Sequence, residues 1–218
     1  MHGLLITFEG TEGSGKSTQV ALLAERLHSL GHKVRTMREP GGTPIGEEIR
    51  HTLKHSEKNA AMTAETELLL MNASRAQLVR ELIRPALAKG EIVLCDRFYD
   101  STTAYQGYGR RLDLNMVKAI IHVAVGDTRP DLTLLFRVPP AVSRERLLAR
   151  QSTLPFMRDR LEEADHDFFE RVAQGYDAIA AAEPERVRAI DAAGSVEEIH
   201  AAIWREVEWL LQKSPSGR

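Results

Sequence analysis

The residues of this chain whose types and spacing most clearly point to chemistry are the eight of Gly10–Ser17. Glycine lets backbone N–H groups turn inward around phosphate oxygens, because no Cβ stands in the way. Lys16 would then reach the β- and γ-phosphates of a nucleotide, and the Ser17 hydroxyl would bind Mg²⁺. A glycine-rich turn that only caps a helix is the alternative, but the full G-x-x-x-x-G-K-S pattern favours a phosphate-binding loop. We therefore expect a nucleoside triphosphate to be held by Gly10, Thr11, Glu12, Gly13, Ser14, Gly15, Lys16, Ser17 and Thr18.

The sequence on both sides of this loop has the order that a phosphate-binding loop requires. An apolar stretch predicts a strand at Leu4–Glu9, and apolar periodicity predicts a helix at Lys16–Leu30 that ends at Gly31. The N-terminus of that helix adds unpaired N–H groups and a partial positive charge behind the loop. Strand, loop and helix together therefore predict an anion site.

Strands and helices alternate along the rest of the chain, and Pro85 predicts a kink or break in one of the helices. Further strands are predicted at Lys33–Arg38, Glu91–Asp96, Asp131–Val138 and Val187–Asp191, and further helices at Pro44–His55, Met62–Lys89, Asp113–Val125, Pro140–Arg150, Ala164–Ala182 and Val196–Leu211. This order predicts a doubly wound α/β fold whose five-stranded parallel sheet has helices on both faces. We expect residues 1–213 to form one domain and residues 214–218 to be a disordered tail.

Ligands of such a fold gather at the carboxyl ends of the strands, and charged residues follow the strand ends here. Asp96 ends an apolar strand, where an acid often supports Mg²⁺, although a helix cap is the alternative. Arg97 follows it and is suited to bidentate binding of a second phosphate; its alternative is a surface ion pair. An aperiodic segment at about 150–160 carries Arg150, Arg158 and Arg160, so it is either a lid that closes over the transferred phosphate or a solvated basic loop.

Composition limits the class of protein. Lysine and arginine number 29, aspartate and glutamate 31, and the net charge of −2 does not indicate a basic nucleic-acid-binding surface. The single cysteine, Cys95, excludes an internal disulfide and is consistent with a reducing cytoplasm. The apolar stretch near the start is too short for a signal-peptide core or a membrane span. These features favour a cytoplasmic protein that binds small anions.

Several motifs together resemble the thymidylate kinase family. The resemblance rests on the phosphate loop with Glu12, on Arg75, and on the stretches "REPGGT" (Arg38–Thr43), "DRFYDSTTAYQG" (Asp96–Gly107), "RPDLTL" (Arg129–Leu134) and "DRLE" (Asp159–Glu162). It covers the chain from the first predicted strand to the last predicted helix. It implies a P-loop nucleoside monophosphate kinase-like fold and an enzyme that transfers the γ-phosphate of MgATP to dTMP, giving dTDP and ADP.

The resemblance also implies roles for individual residues. Lys16 and Arg97 would be catalytic, with Arg97 spanning the donor and acceptor phosphates. Arg75 would donate hydrogen bonds to a thymine carbonyl, which a guanidinium suits because it is a donor only. Tyr105 would crowd the 2′ position of the sugar and favour deoxyribose. The full set expected around dTMP is Arg38, Glu39, Met71, Arg75, Arg97, Phe98, Ser101, Thr102, Tyr105 and Gln106.

The position of the phosphate-site arginine separates two variants of the family. The loop here reads Glu12-Gly13-Ser14 without arginine, so the chain resembles the bacterial lid-arginine type, and Arg150 or Arg158 would act as an arginine finger. Glu162 matches a carboxylate near the lid that can touch metal, and a solvated charge is its alternative. Metal ligands would thus be Ser17, Asp96 and, more weakly, Glu162.

One position departs from the family pattern. Met71 stands where the family usually has an aromatic residue, one helical turn before Arg75. A thioether can still pack against a base, although without ring stacking. Met71 is therefore either the floor of the base site or an ordinary core residue, and in the second case the base would stack on Phe98 or Tyr105.

The same residues bear on three alternative functions. A P-loop kinase for another monophosphate would share the donor site, but Arg75 and the Ser101–Gln106 segment oppose it. A GTP-driven switch protein needs an N-K-x-D segment, which the sequence lacks. An inactive homologue is opposed by the presence of the charged motif residues. The resemblance also implies a homodimer, with the Met62–Lys89 and Asp113–Val125 helices as its surfaces.

Overall fold

All five strands of the sheet run parallel, as the alternation of elements predicts. In the computed structural model, which describes residues 3–151, 160 and 165–213, the strands are β1 (Leu4–Gly10), β2 (Val34–Arg38), β3 (Ile92–Asp96), β4 (Leu132–Arg137) and β5 (Val187–Asp191). Their spatial order is β2-β3-β1-β4-β5. The central strand β1 therefore lies between β3 and β4, and its carboxyl end is flanked by theirs.

Helices connect these strands. They are α1 (Lys16–Ser29), α2 (Pro44–Arg50), α3 (Ala64–Leu78), α4 (Arg84–Ala88), α5 (Tyr99–Thr102), α6 (Leu114–Val125), α7 (Pro140–Gln151), α8 (His166–Ala182) and α9 (Val196–Lys213). Three π-helical turns continue α2, α3 and α5, at His51–His55, Val79–Ile83 and Thr103–Gly109.

The core lies on both faces of the sheet. Alternate residues of β1 point to opposite faces, so Ile6 packs with α1 and α9 whereas Leu5 packs with α3, α4 and α6. A third cluster forms where α8 covers Tyr105 and the β4–β5 side of the sheet. Cys95 is fully buried in the second cluster, as expected of a small core residue. The predicted arrangement of helices on both faces is confirmed.

The structure differs from the predicted elements in two places. The chain stays helical through Pro85, and the departure from α geometry is the π-helical turn at Val79–Ile83 just before it. Proline lacks the N–H group that a regular α-helix would use there, and α4 accommodates it in its first turn. The helix at Tyr99–Gly109 was not predicted at all.

No helix in the described ranges is both long and apolar enough to cross a membrane. Residues 214–218, predicted to be a disordered tail, lie outside the described residues.

Candidate active site

The Gly10–Ser17 loop joins β1 to α1 at the centre of the sheet, in a conformation that only glycine adopts easily. Gly10, Gly13 and Gly15 have φ values of 131°, 70° and 89°. At Gly10 a Cβ would also lie 2.6 Å from the carbonyl oxygen of Phe136, so a side chain is excluded there for two reasons. The loop geometry is that of an anion-binding turn before a helix N-terminus, as the sequence predicts.

Lys16 folds back over this loop. Its Nζ donates hydrogen bonds to the carbonyl oxygens of Gly10 (3.1 Å) and Thr11 (2.8 Å) and to Ser14 Oγ (3.2 Å). Burial, assisted by the positive charge of Arg97, lowers the pKa of Lys16 to about 8. The negative charges of Glu12, Asp96 and Glu9 offset this only in part, so phosphate oxygens bound at the loop would further stabilise the ammonium group, which suits the phosphate role assigned to Lys16.

The expected metal ligands Ser17 and Asp96 lie together. Ser17 Oγ donates a hydrogen bond to Asp96 Oδ2 at 2.8 Å, on the exposed side of the loop. Among the described residues, no group of three or more His, Cys, Asp or Glu side chains is placed to hold a metal ion. One hydroxyl and one carboxylate fit a Mg²⁺ ion that keeps several waters and binds substrate phosphates, which is the usual mode for this metal.

Arg97 links the phosphate loop to a cavity beside it. Its Nη2 donates to Glu12 Oε1 (2.9 Å) and to the Tyr105 hydroxyl (3.4 Å), and its Nη1 donates to Ser101 Oγ (3.1 Å). Burial opposes ionisation of Glu12, but the positive charges of Arg97, Lys16 and Lys54 outweigh it and hold the pKa of Glu12 well below its usual range. Glu12 is therefore an anion that fixes a guanidinium between two binding regions.

Glu9, which sequence reasoning passed over as the end of a strand, holds the turn that carries Arg97. Its buried carboxylate accepts hydrogen bonds from the Phe98 and Ser101 N–H groups (2.8 and 3.2 Å), from Ser101 Oγ (2.6 Å) and from the Tyr176 hydroxyl (2.9 Å). Burial and the charge of Asp100 raise the pKa of Glu9 to about 7. A glutamate inside an otherwise apolar strand was the signal that could have indicated this role.

A cavity of about 530 Å³, including its open mouth, begins at Glu12 and Arg97 and extends toward α3. Its wall combines apolar side chains with polar and charged groups, as in small-molecule sites. The residues that line it are Glu12, Glu39, Pro40, Lys54, Met71, Arg75, Arg97, Ser101, Thr102, Tyr105, Gln106 and Phe169.

Arg75 lies in the wall of this cavity and is only 2% exposed. It donates hydrogen bonds to Glu39 Oε2 (2.8 Å), Asn72 Oδ1 (3.0 Å), Thr102 Oγ1 (2.8 Å) and the carbonyl oxygen of Phe98 (3.1 Å). The other carboxylate oxygen of Glu39, Oε1, is buried without a hydrogen-bond partner. Glu39 and Thr102 also line the cavity. A ligand carbonyl that enters the cavity would therefore accept from the same Arg75 N–H groups that Glu39 and Thr102 accept from.

Most residues expected around the acceptor are thus brought together, and two are not. Met71, only 9% exposed, lines the cavity together with Tyr105. Phe98 is fully buried behind Arg75, whose guanidinium lies 5.7 Å from its ring, so it supports the site from outside the cavity wall. Arg38 lies outside the cavity wall because Glu47 Oε2, at 3.0 Å, and the carbonyl of Pro40 hold its guanidinium.

The expected lid residues are described only in part. Arg150 belongs to α7 by its backbone, whereas Arg158 and Glu162 lie outside the described residues. Arg160 is described, and its guanidinium pairs with the buried carboxylate of Glu67 and donates to the carbonyl oxygen of Met62 at 2.9 Å. Arg160 is therefore anchored against α3, which opposes the view that it belongs to a fully solvated basic loop.

Three cavity residues were missed by sequence reasoning: Pro40, Lys54 and Phe169. Pro40 lies in the predicted turn beside Glu39, so its position could have been inferred from that neighbour. No pattern separates Lys54 from the other charged residues of its helix, or Phe169 from the apolar face of α8. Both come from elements distant in sequence, which the fold alone brings to the cavity.

Comparison with known proteins agrees with this geometry. The model of the thymidylate kinase family matches residues 8–203. A thymidylate kinase of Chlorobium luteolum is 48% identical over 92% of this chain and 94% of its own, and one of Synechococcus is 46% identical over 99% of both. The crystal structure of thymidylate kinase from Ehrlichia chaffeensis superimposes with a TM-score of 0.77 and 32% identity, covering 95% of this chain and 99% of that one. The chain therefore belongs to the thymidylate kinase family.

Proposed function

We propose that the protein transfers the γ-phosphoryl group of ATP to dTMP, giving dTDP and ADP, as a phosphotransferase of deoxynucleotide biosynthesis. The observation that carries this proposal is a single cavity that has Glu12 and Arg97 of the phosphate region at one end and buried Arg75 in its wall. Membership of the thymidylate kinase family supports the same substrate.

Base selection follows from the donors of Arg75. A guanidinium has only N–H donors, so it is matched by the O4 carbonyl of thymine and opposed by the 4-amino group of cytosine. Arg75 is buried and its N–H groups are held by Glu39, Thr102 and other protein acceptors, so an amino group at this position of the base would set donor against donor without water to relieve it, at a high cost. Tyr105 lines the same cavity beside Arg97, where its ring would crowd a ribose 2′-hydroxyl.

Phosphoryl transfer needs positive charge at the developing transition state more than it needs a covalent partner. The loop amides and Lys16 would bind the donor phosphates, and Arg97 would span donor and acceptor. Ser17 and Asp96 would hold Mg²⁺, which neutralises phosphate charge and orients the γ-phosphoryl group when it is bound. Glu12 keeps Arg97 in place through their 2.9 Å contact.

Finer features of the proposal rest on the sequence pattern. The lid would supply Arg150 or Arg158 to the transferred phosphate, because the phosphate loop has no arginine. Arg38, whose guanidinium is turned toward Glu47, would have to reorient to meet the acceptor phosphate. A homodimer and a cytoplasmic location are proposed with it; a buried free thiol at Cys95 and the nucleotide substrates are consistent with the second.

A coupled ADP-release assay tests the proposal. MgATP is supplied with dTMP, dUMP, ribosyl-TMP, dCMP, dGMP or AMP in parallel. Preference for dTMP over both the ribose form and dCMP is expected, because Tyr105 and Arg75 oppose those two competitors. Turnover of another monophosphate without turnover of dTMP would contradict the acceptor assignment while leaving the donor site intact.

A further inference from the structure

The carboxylate of Glu67 is fully buried behind the cavity wall, in the first turn of α3. Three side chains donate to it: Gln106 and Arg110 from one segment of the chain, and Arg160 from a distant one. Glu67 itself does not line the cavity, but Gln106 does. The Gln106 side chain therefore lies between the Glu67 carboxylate and any base bound in the cavity.

The contact between Glu67 and Gln106 determines how the Gln106 carboxamide is oriented. Gln106 Nε2 lies 2.8 Å from Glu67 Oε1, and Gln106 is only 2% exposed. A carboxamide has a donor NH₂ group and an acceptor oxygen, whereas an ionised carboxylate only accepts. The NH₂ group must therefore face Glu67, and the oxygen is the atom that Gln106 has left to offer a ligand.

The surrounding charges keep Glu67 ionised. Arg110 donates through Nε (3.1 Å) and Nη2 (3.0 Å), and Arg160 pairs through Nη1. Burial opposes ionisation, but these guanidinium groups and Gln106 outweigh it and lower the pKa of Glu67. An unprotonated carboxylate cannot donate, so the reversed orientation of Gln106 finds no hydrogen bond.

We propose that Glu67 is a positioning residue for base selection: by holding the NH₂ group of Gln106, it presents an acceptor to the cavity that pairs with the N3–H of thymine. Cytosine carries an acceptor at N3, so two acceptors would meet and dCMP would be rejected at this position as well as at Arg75. The inference rests on the proposed function, since it specifies how the same cavity reads its base.

The Glu67→Gln variant tests this inference, because a neutral amide at position 67 can donate as well as accept and so permits either orientation of Gln106. We expect KM for dTMP to rise about tenfold with kcat nearly unchanged, and the dTMP-to-dCMP ratio of kcat/KM to fall about tenfold or more. Glu65→Gln, an exposed position on the same helix, is the matched control and should leave both unchanged.

Exchange of the two side chains separates positioning from mere structural support. In the double variant Glu67→Gln/Gln106→Glu, residue 106 is an acceptor in either orientation, and the amide at 67 can donate to it. Selectivity for dTMP should return toward that of the unmodified protein. Thermal unfolding and circular dichroism establish that each variant is folded before its kinetics are compared.

Unchanged selectivity in folded Glu67→Gln, or an exchanged variant that folds but stays unselective, would overturn the inference. If Glu67→Gln alone does not fold, the inference depends on whether the folded exchanged variant selects dTMP over dCMP. Failure of the unmodified protein to phosphorylate dTMP would instead refute the proposed function, so the two failures are distinguishable.

Discussion

Arg97 has a φ of 70°, in the left-handed region that residues with a side chain rarely adopt. Such conformations are costly and persist where surrounding contacts hold them. Here its N–H donates to the Phe8 carbonyl at 2.9 Å, and Glu9 binds the next turn through the Phe98 and Ser101 N–H groups. These contacts turn the guanidinium toward Glu12, so the strain serves to place a cation between the phosphate loop and the cavity.

Glu9 should make the stability of the protein depend on pH. Its pKa is raised from 4.5 to about 7, so the folded state binds the proton more tightly than the unfolded state. The free energy of unfolding should therefore fall as pH rises from about 4.5 to about 7, by up to about 3 kcal/mol, and level off above. Urea unfolding across this range gives the free energy of unfolding against pH for the unmodified protein and for Glu9→Gln. The difference between the two slopes measures the contribution of Glu9.

The variant should be less stable at every pH, because an amide NH₂ group then faces the donors of Phe98, Ser101 and Tyr176. Glu25→Gln, an exposed carboxylate on α1, is the control and should keep the unmodified slope. An identical slope in Glu9→Gln would show that folding leaves the pKa of Glu9 unshifted.

Met71 tests whether the floor of the cavity contacts the base. It lines the cavity and shares a helix face with Arg75, one turn away. Met71→Ala should raise KM for dTMP severalfold with little change in kcat, because the lost contact acts on binding and not on phosphoryl transfer. Leu30→Ala, at an exposed position that follows α1, is the control. An unchanged KM would place the base on Tyr105 instead.

At the scale of elements, the sequence predicts the strands and helices whose apolar residues recur with a clear period. It does not predict the helical segment whose side chains line the cavity. Val187–Asp191 was predicted to the residue, and the helix at 114–125 differs only by its N-cap Asp113, whose carboxylate accepts from the Met116 N–H. The helical segment Tyr99–Gly109 was not foreseen, because its two glycines and many polar residues hide the apolar period. Its buried polar residues line the cavity or make tertiary contacts, as Ser101 does with Glu9, Gln106 with Glu67 and Asp100 with Arg186, so these contacts and not local propensity make it helical.

The ends of the predicted lid are held by different parts of the site. Before it, Ser143 Oγ of α7 donates to the carbonyl oxygen of Glu12 at 2.6 Å. After it, Arg160 pairs with Glu67, and its N–H donates to the carbonyl oxygen of Lys54 at 3.3 Å. Ser143 therefore lies against the phosphate loop and Arg160 against the wall of the acceptor cavity, which are the two regions that a lid between them would have to cover.

Alanine at Arg150 or Arg158 should lower kcat by about a hundredfold or more while the Kd for dTMP changes little, since a finger arginine acts on transition-state charge. Steady-state kinetics and equilibrium dTMP binding measure the two quantities. Arg35→Ala, near the amino end of β2 and paired with Glu91, is the control. Normal turnover in both single variants and in the double variant would refute the lid assignment.

For the molecule as a whole, the strand order explains why site residues distant in sequence lie together, which no local sequence pattern indicates. The order β3-β1-β4 sets the carboxyl end of β3 beside that of β1, so Asp96 and Arg97 meet a phosphate loop some eighty residues earlier in the chain. The alternation of elements predicts that ligands gather at this edge. It does not predict which side chains meet, since the Glu9 and Glu67 networks each depend on packing between elements distant in sequence.

The outer surface of the layer formed by α2, α3 and α6 carries the features of the proposed dimer interface. Ile45, Leu69, Met116 and Val123 lie on these helices and are 57%, 56%, 37% and 74% exposed. Large exposed apolar side chains favour association, and a two-fold axis would pair a surface that carries them with its own copy.

The double variant Leu69→Glu/Val123→Glu should therefore be a monomer at micromolar concentration, where the unmodified protein is expected to be a dimer, because association would bury unpaired carboxylates. Light scattering coupled to size-exclusion chromatography measures the mass of each. Leu30→Glu is the matched control: Leu30 is equally exposed at 56% but follows α1, which packs on the opposite face of the sheet, so this variant should stay dimeric. A dimer that persists in the double variant would place the interface elsewhere, and a monomeric unmodified protein would refute the dimer itself.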